Sequence, residues 1–208
     1  MSFVQADHPA VVAFAEEVTA GATTDRDKAV ALYYAVRDGI RYDPYSMRAD
    51  PESYRSATVL RDRVAYCIPK AVLLCGAARA AGLGARLGFA DVRNHLTSEK
   101  LKERLNGVDL FIWHGYTELL LDGRWVKVTP AFNIELCQRF GVLPLDFDGE
   151  HDALFHPFTA DGRAHMEYLN YRGTFDDLPL DDIIGDFRRT YGPIMDLAAP
   201  VDAAFRPV

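Results

Sequence analysis

The sequence predicts an α+β fold, with N-terminal helices packed on an antiparallel sheet, and three stretches carry that prediction. Residues 8–43 hold two runs of helical periodicity, residues 68–81 form an Ala-rich helix, and two strand-like runs meet at Asp122-Gly123. A chain of 208 residues, 49% hydrophobic and 12% aromatic, is long enough to bury one substantial core. One domain over residues 1–208 is expected, although two small lobes would also fit.

In "HPAVVAFAEEVTAGATTDRDKAVALYYAVRDGIRYD", Val11, Phe14, Ala15 and Val18 share one face of a first helix. Val30, Leu32, Tyr33, Val36 and Ile40 repeat at the same spacing in a second, after a break at Gly21 to Thr24. Thr24, followed by Asp25 and Asp27, suits an N-cap, because a short oxygen satisfies free backbone donors and acids favour the positive helix end. "YDPYSMRADPESYRSATVLRDR", with two Asp-Pro pairs, reads as a loop and a short helix.

The helix at 68–81 is stopped by Gly82 and Gly84, and "ARLGFADV" follows as a strand. Polar "TSEKLKERLNG" is a brief helix, so residues 94–109 form an exposed excursion between strands. "DLFIWHGYTELLLDGRWVKVTPAF" is a hairpin around Asp122-Gly123, a pair that tolerates the positive φ angles of a type I′ turn. Past Asn133, "ALFHPFTADGRAHMEYL" reads as another hairpin and "LDDIIGDFRRTYG" as a last helix.

Lys and Arg number 23 against 30 Asp and Glu, a net charge of −7, with a pI near 5.3. A nucleic-acid partner is not expected, since the phosphate backbone would be repelled. The opening "MSFVQADHPAVVAFAEEV" lacks the basic and apolar regions of a signal peptide, and no run reaches the ~18 apolar residues of a membrane span. A cytoplasmic protein without membrane association is the expectation. Cys67, Cys75 and Cys137 make an odd count without a close pair, so reduced thiols are expected and neither a disulfide framework nor a zinc site.

Pro69 is tolerated in a first helical turn, which puts Cys67 at, or one residue before, the start of the 68–81 helix. Unpaired N–H groups and the positive dipole end there would lower a thiol pKa towards the nucleophilic thiolate. The competing reading is an inert buried cysteine; Cys75, in mid-helix, and Cys137, after "NIEL", are read that way. A nucleophilic cysteine needs a base, and register selects His114. If Leu121 pairs with Arg124, His114 lies opposite Ala131, with Thr129 and Asn133 as diagonal neighbours on its face. Glu118 then faces Lys127, while Asp122, in the turn, is roughly 20 Å from the histidine at ~3.3 Å per residue.

Cys67 opening an Ala-rich helix, "AAGLGARLGF" behind it, "WHGYTELLLDGRWVKVTP" and, upstream, "DKAVALYYAVRDGIRYD" together resemble the core of the transglutaminase-like superfamily. The resemblance covers roughly residues 25–135, leaving 136–208 as a C-terminal extension. It implies a papain-like fold with the nucleophile at a helix N-terminus and a cysteine site in the order Cys, His, Asp. Cys67 matches the nucleophile and His114 the base. At the acid, where the family has Asp-Pro, this chain has Thr129-Pro130. Thr129 can accept the imidazole proton but carries no charge to stabilise an imidazolium; Asn133 is the rival third member. The resemblance also implies an oxyanion hole built on the Cys67 backbone N–H, with Tyr66 or Trp113 as candidates for the second donor.

"GLGARLG" follows a helix and reads as a C-cap, not a nucleotide loop. "DFDGEHD" lacks the twelve-residue pattern of a calcium loop, and His95, His151, His156 and His165 show no metal-binding spacing. No metal or cofactor is expected. The expected function is acyl transfer from a peptide or protein amide substrate through a Cys67 thioester, tilted towards hydrolysis over transamidation. A binding module that has lost catalysis and an arylamine acetyltransferase-like enzyme are the alternatives.

Overall fold

Thr24 is where the first helical pair is joined. Its hydroxyl accepts the Asp27 N–H at 3.1 Å while the Asp27 carboxylate accepts the Thr24 N–H at 3.1 Å. This reciprocal cap starts α2 (Asp25–Gly39) after α1 (Pro9–Thr19). The computed structural model describes residues 2–94, 99–154 and 166–193.

After α2 come the two-residue strand β1 (Arg41–Tyr42), two short 3₁₀ turns at Pro44–Ser46 and Pro51–Tyr54, α3 (Ser56–Asp62) and β2 (Val64–Ala65). The strands β1 and β2 pair in parallel. Next is α4 (Cys67–Ala80), buried on every side from Cys67 to Ala78. Such a helix has no polar stripe to show to water, so it must lie between layers. On one side it packs against α1, α2 and α3, and on the other against the sheet.

That sheet runs β5-β4-β3-β6, all antiparallel: β3 is Gly84–Asn94, β4 Leu110–Leu121, β5 Arg124–Val128 and β6 Met166–Phe175. The short α5 (Glu99–Arg104) lies between β3 and β4, α6 (Ile134–Phe140) follows β5, and α7 (Leu180–Tyr191) is the last described helix. The mixed fold with helices on an antiparallel sheet is the one expected, and the Asp122-Gly123 turn has φ of 51° and 77° at its two residues. Within the hairpin, Glu118 pairs with Lys127 and Leu121 with Arg124, as expected.

The pairing departs from expectation beyond Val128. The ladder between β4 and β5 ends there, and His114 faces Ala90 of β3, not Ala131. Pro130 has no N–H to donate, and Thr129 donates instead to the Ala153 carbonyl at 2.8 Å, so the chain peels away from β4. The hairpin expected over 153–169 lies largely outside the described residues; its far end belongs to β6, which pairs with β3. His95, His156 and His165 also lie outside the described residues. Among the described residues no helix is long and apolar enough to cross a membrane, and no cluster of His, Cys, Asp and Glu is placed to hold a metal.

One fully buried cation ties α4 to α2. Lys70 donates from Nζ to the carbonyls of Arg37 and Ile40, at 2.8 and 2.5 Å, where α2 ends and its carbonyls lack helical partners. Burial lowers its pKa to about 7. Replacing Lys70 with Met keeps the volume but leaves both carbonyls unsatisfied, and is expected to cost about 2 kcal/mol in urea denaturation. Unchanged stability would show that these bonds contribute nothing.

Candidate active site

The strand β2 delivers the chain to α4 so that Cys67 is its first helical residue, with Tyr66 as an N-cap that makes no side-chain capping bond. The first-turn N–H groups are therefore left without a side-chain cap beside the sulfur. The backbone N–H groups of Gly115, Ile68 and Cys67 itself lie near enough to the sulfur to favour its anion, without the geometry of formed hydrogen bonds. The expected lowering of the thiol pKa is nevertheless overturned. Burial dominates and pushes the Cys67 pKa up to about 11, because a thiolate cut off from water loses more than these N–H groups return. Cys75 and Cys137 are buried free thiols, as read.

His114 reaches the same place because β4 crosses the mouth of α4 almost backbone to backbone. A Cβ on Gly115 would stand 3.0 Å from Ile68 Cα and 3.5 Å from the Cys67 carbonyl oxygen. Glycine allows that approach without strain, whereas a side chain would force the two backbones apart by a few tenths of an ångström. Two residues on, the Thr117 hydroxyl donates to the Ala71 carbonyl at 3.0 Å and fastens the strand to the helix.

Cys67 and His114 line one pocket. On its other side His114 lines a second, smaller cavity together with Thr129. Both side chains are buried, and His114 Nε2 and Thr129 Oγ1 have no hydrogen-bond partner among the described residues. The Tyr168 hydroxyl lies close enough to Thr129 to be influenced by it, but outside the geometry of a formed hydrogen bond. Burial drives the His114 pKa down to about 4, with no anion beside it among the described residues. At neutral pH the pair is therefore an uncharged thiol and an uncharged imidazole.

Of the two rivals for the third position, the structure brings Thr129 to His114 and takes Asn133 elsewhere. Asn133 Oδ1 accepts the Tyr42 N–H at 3.1 Å, and the residue lines a separate surface pocket with Arg41 and Arg139. Neither candidate oxyanion side chain has a donor to spare. The Tyr66 hydroxyl donates to Tyr54 Oη at 2.9 Å. Trp113 spends its backbone N–H on Asp91, at 3.1 Å, and its indole N–H on Asp186, at 2.7 Å. Glu118, which faces Lys127 across the hairpin as expected, makes its ion pair with Arg86 of β3 at 2.6 Å. In "DFDGEHD", the Asp148 carboxylate accepts the N–H groups of Glu150 and His151 at 2.8 Å, which makes the segment a turn.

The sequence alone did not reveal what aims His114. Between Ala90–His114 and Val92–Phe111, β4 carries an extra residue against β3, a bulge in which Asp91 faces Ile112 and Trp113. Trp113 has φ of 56°, a left-handed conformation that costs a bulky residue on the order of 1–3 kcal/mol. The strain is held from the C-terminal elements. Arg172 of β6 binds Asp91 at 2.5 Å and Asp186 of α7 at 2.7 Å, and its guanidinium stacks 4.8 Å from the centre of the Trp113 ring. Asn170 adds a bond to Asp91 at 3.3 Å. The one local signal was Gly115, a lone glycine in a strand pattern.

The family model described as "Transglutaminase-like superfamily" matches residues 12–130. Among solved structures, a candidate cysteine protease from Cytophaga hutchinsonii is similar over 84% of this chain and 51% of its own, with TM-score 0.48 and 14% identity. A candidate protease from Parabacteroides distasonis ATCC 8503 is similar over 56% of this chain and 22% of its own, with TM-score 0.39 and 17% identity. The chain thus spans about half or less of these two proteins. No curated protein matches it.

Two measurements check this geometry. Iodoacetamide alkylation of Cys67, mapped by mass spectrometry, is expected to be slower than that of free cysteine at pH 7 and to climb towards pH 11. A rate already level at pH 7 would mean a stabilised thiolate. Replacing Arg172 with Met strands two carboxylates around a strained backbone. It is expected to lower stability in urea by about 2 kcal/mol, below the value for a fully buried pair because Arg172 is partly exposed. A change under 0.5 kcal/mol would remove the clamp from consideration.

Proposed function

The chain belongs to the transglutaminase-like superfamily, and from that premise we propose that it is a cysteine-dependent acyl-transfer enzyme acting on amide bonds of a peptide or protein. The observation that supports it is the meeting of Cys67, at an uncapped helix mouth, with His114 across one pocket. Cys67 is the nucleophile, His114 the base and Thr129 the group behind the base.

The uncharged resting pair suits a general-base sequence. His114, neutral at pH 7, takes the thiol proton as Sγ bonds to the amide carbon. The carbonyl oxygen becomes an oxyanion at the helix mouth, where the Cys67 N–H donates to it. Collapse breaks the C–N bond, the amine departs with the proton from His114, and the acyl group remains as a thioester on Cys67. Water then gives a proton to His114 and hydroxide to the acyl carbon; the acid leaves and the proton returns to sulfur. An amine in place of water makes the reaction a transamidation.

Thr129 in the acid's place supports a second reading, a binding module that has kept the fold without catalysis. Acylation by p-nitrophenyl acetate, followed as a burst and by intact mass, separates the two. For the enzyme, Cys67→Ala abolishes the adduct, His114→Ala slows it by about 10²–10⁴-fold, and Thr129→Asp leaves it unchanged or slower. No adduct above the Cys67→Ala background, or a large gain on Thr129→Asp, would favour the module.

A further inference from the structure

The pocket beside Cys67 is walled almost wholly by apolar and aromatic groups. Tyr42, Met47, Phe111 and Ile112 come from the matched region, and Phe187 and Tyr191 of α7 from beyond it. Among the described residues no Asp, Glu, Lys or Arg side chain lines it. Two tyrosine hydroxyls in the wall are already committed. Tyr66 donates to Tyr54, and Tyr191 donates to the Leu110 carbonyl at 2.8 Å while accepting the Ile112 N–H at 2.8 Å. These bonds occupy both hydroxyls within the protein itself. The pocket holds about 360 Å³ of empty space, open mouth included, so its enclosed part is smaller still and suits only a short group.

An ionised group placed there would lose its water and meet no oppositely charged side chain among the described residues, whereas an alkyl group would lose nothing and bury apolar surface. We propose that this pocket receives the acyl side of the substrate, that the acyl chain is short and uncharged, and that Phe187 and Tyr191 set its permitted length. The inference rests on Cys67 as the nucleophile. It assigns a role in selectivity to α7, whose Leu180, Ile183, Phe187 and Tyr191 are buried along one face while Asp181 and Asp182 stay outside. Phe187 stacks on Tyr191 with ring centres 5.4 Å apart, so trimming one loosens the other.

The test is competitive acylation with p-nitrophenyl butyrate, decanoate and hemisuccinate. Each rate is normalised to that of free cysteine, and adducts are mapped to Cys67 against a Cys67→Ala control. Butyryl transfer is expected to exceed succinyl transfer by at least tenfold, with decanoyl slow. Phe187→Ala, or Phe187→Leu should the first fail to fold, is expected to raise the decanoyl-to-butyryl ratio at least fivefold while succinyl transfer stays poor. Succinyl transfer as fast as butyryl, or a chain-length ratio indifferent to Phe187, with adducts on Cys67, overturns the pocket assignment and leaves the nucleophile standing. No adduct on Cys67 from any ester overturns the nucleophile and the assignment together.

Discussion

The contact between Gly115 and the first turn of α4 is the constraint on which the rest depends. Because position 115 has no Cβ, the β4 backbone lies close against Ile68 and the Cys67 carbonyl at the helix mouth. The residue before it, His114, is then carried into the same pocket wall. The hydrogen bond from Thr117 to Ala71 extends this contact along the helix. A side chain at 115 would force strand and helix to give by a few tenths of an ångström, and the imidazole would shift with the strand.

Burying the junction has an electrostatic consequence. A helix N-terminus is an anion site in water-accessible surroundings, but here the sulfur is nearly sealed, and desolvation outweighs the pull of the nearby N–H groups. The same burial depresses His114, and Thr129 supplies no charge to oppose it. A neutral pair follows from two facts together, a dry site and a third position without a carboxylate. Charge would then arise only as the sulfur attacks, where the helix mouth can stabilise it.

The aim of the imidazole depends on residues far along the chain. Trp113 holds its left-handed backbone because Asp91, Asp186 and Arg172 bond or stack on it from three different elements. Two of these elements, β6 and α7, lie outside the residues matched by the family model, yet one extends the sheet and the other walls the pocket. The C-terminal segment is thus part of the frame around Cys67 and His114.

What the sequence determined by itself was local. Helical periodicity placed α1 and α2, Thr24 with Asp27 marked the cap, Asp122-Gly123 set the hairpin register, and Pro69 located Cys67 at a helix start. Each of these follows from backbone preferences acting over a few residues. Register also put Thr129 on the side of His114, although the ladder that was to bring it there stops at Val128. Tertiary structure alone decided the rest: the thiol pKa, set by how much water the fold excludes; the turning of Asn133 towards Tyr42; and the clamp on Trp113. Burial and long-range ion pairs depend on which distant segments meet, and no local pattern of residues encodes that meeting.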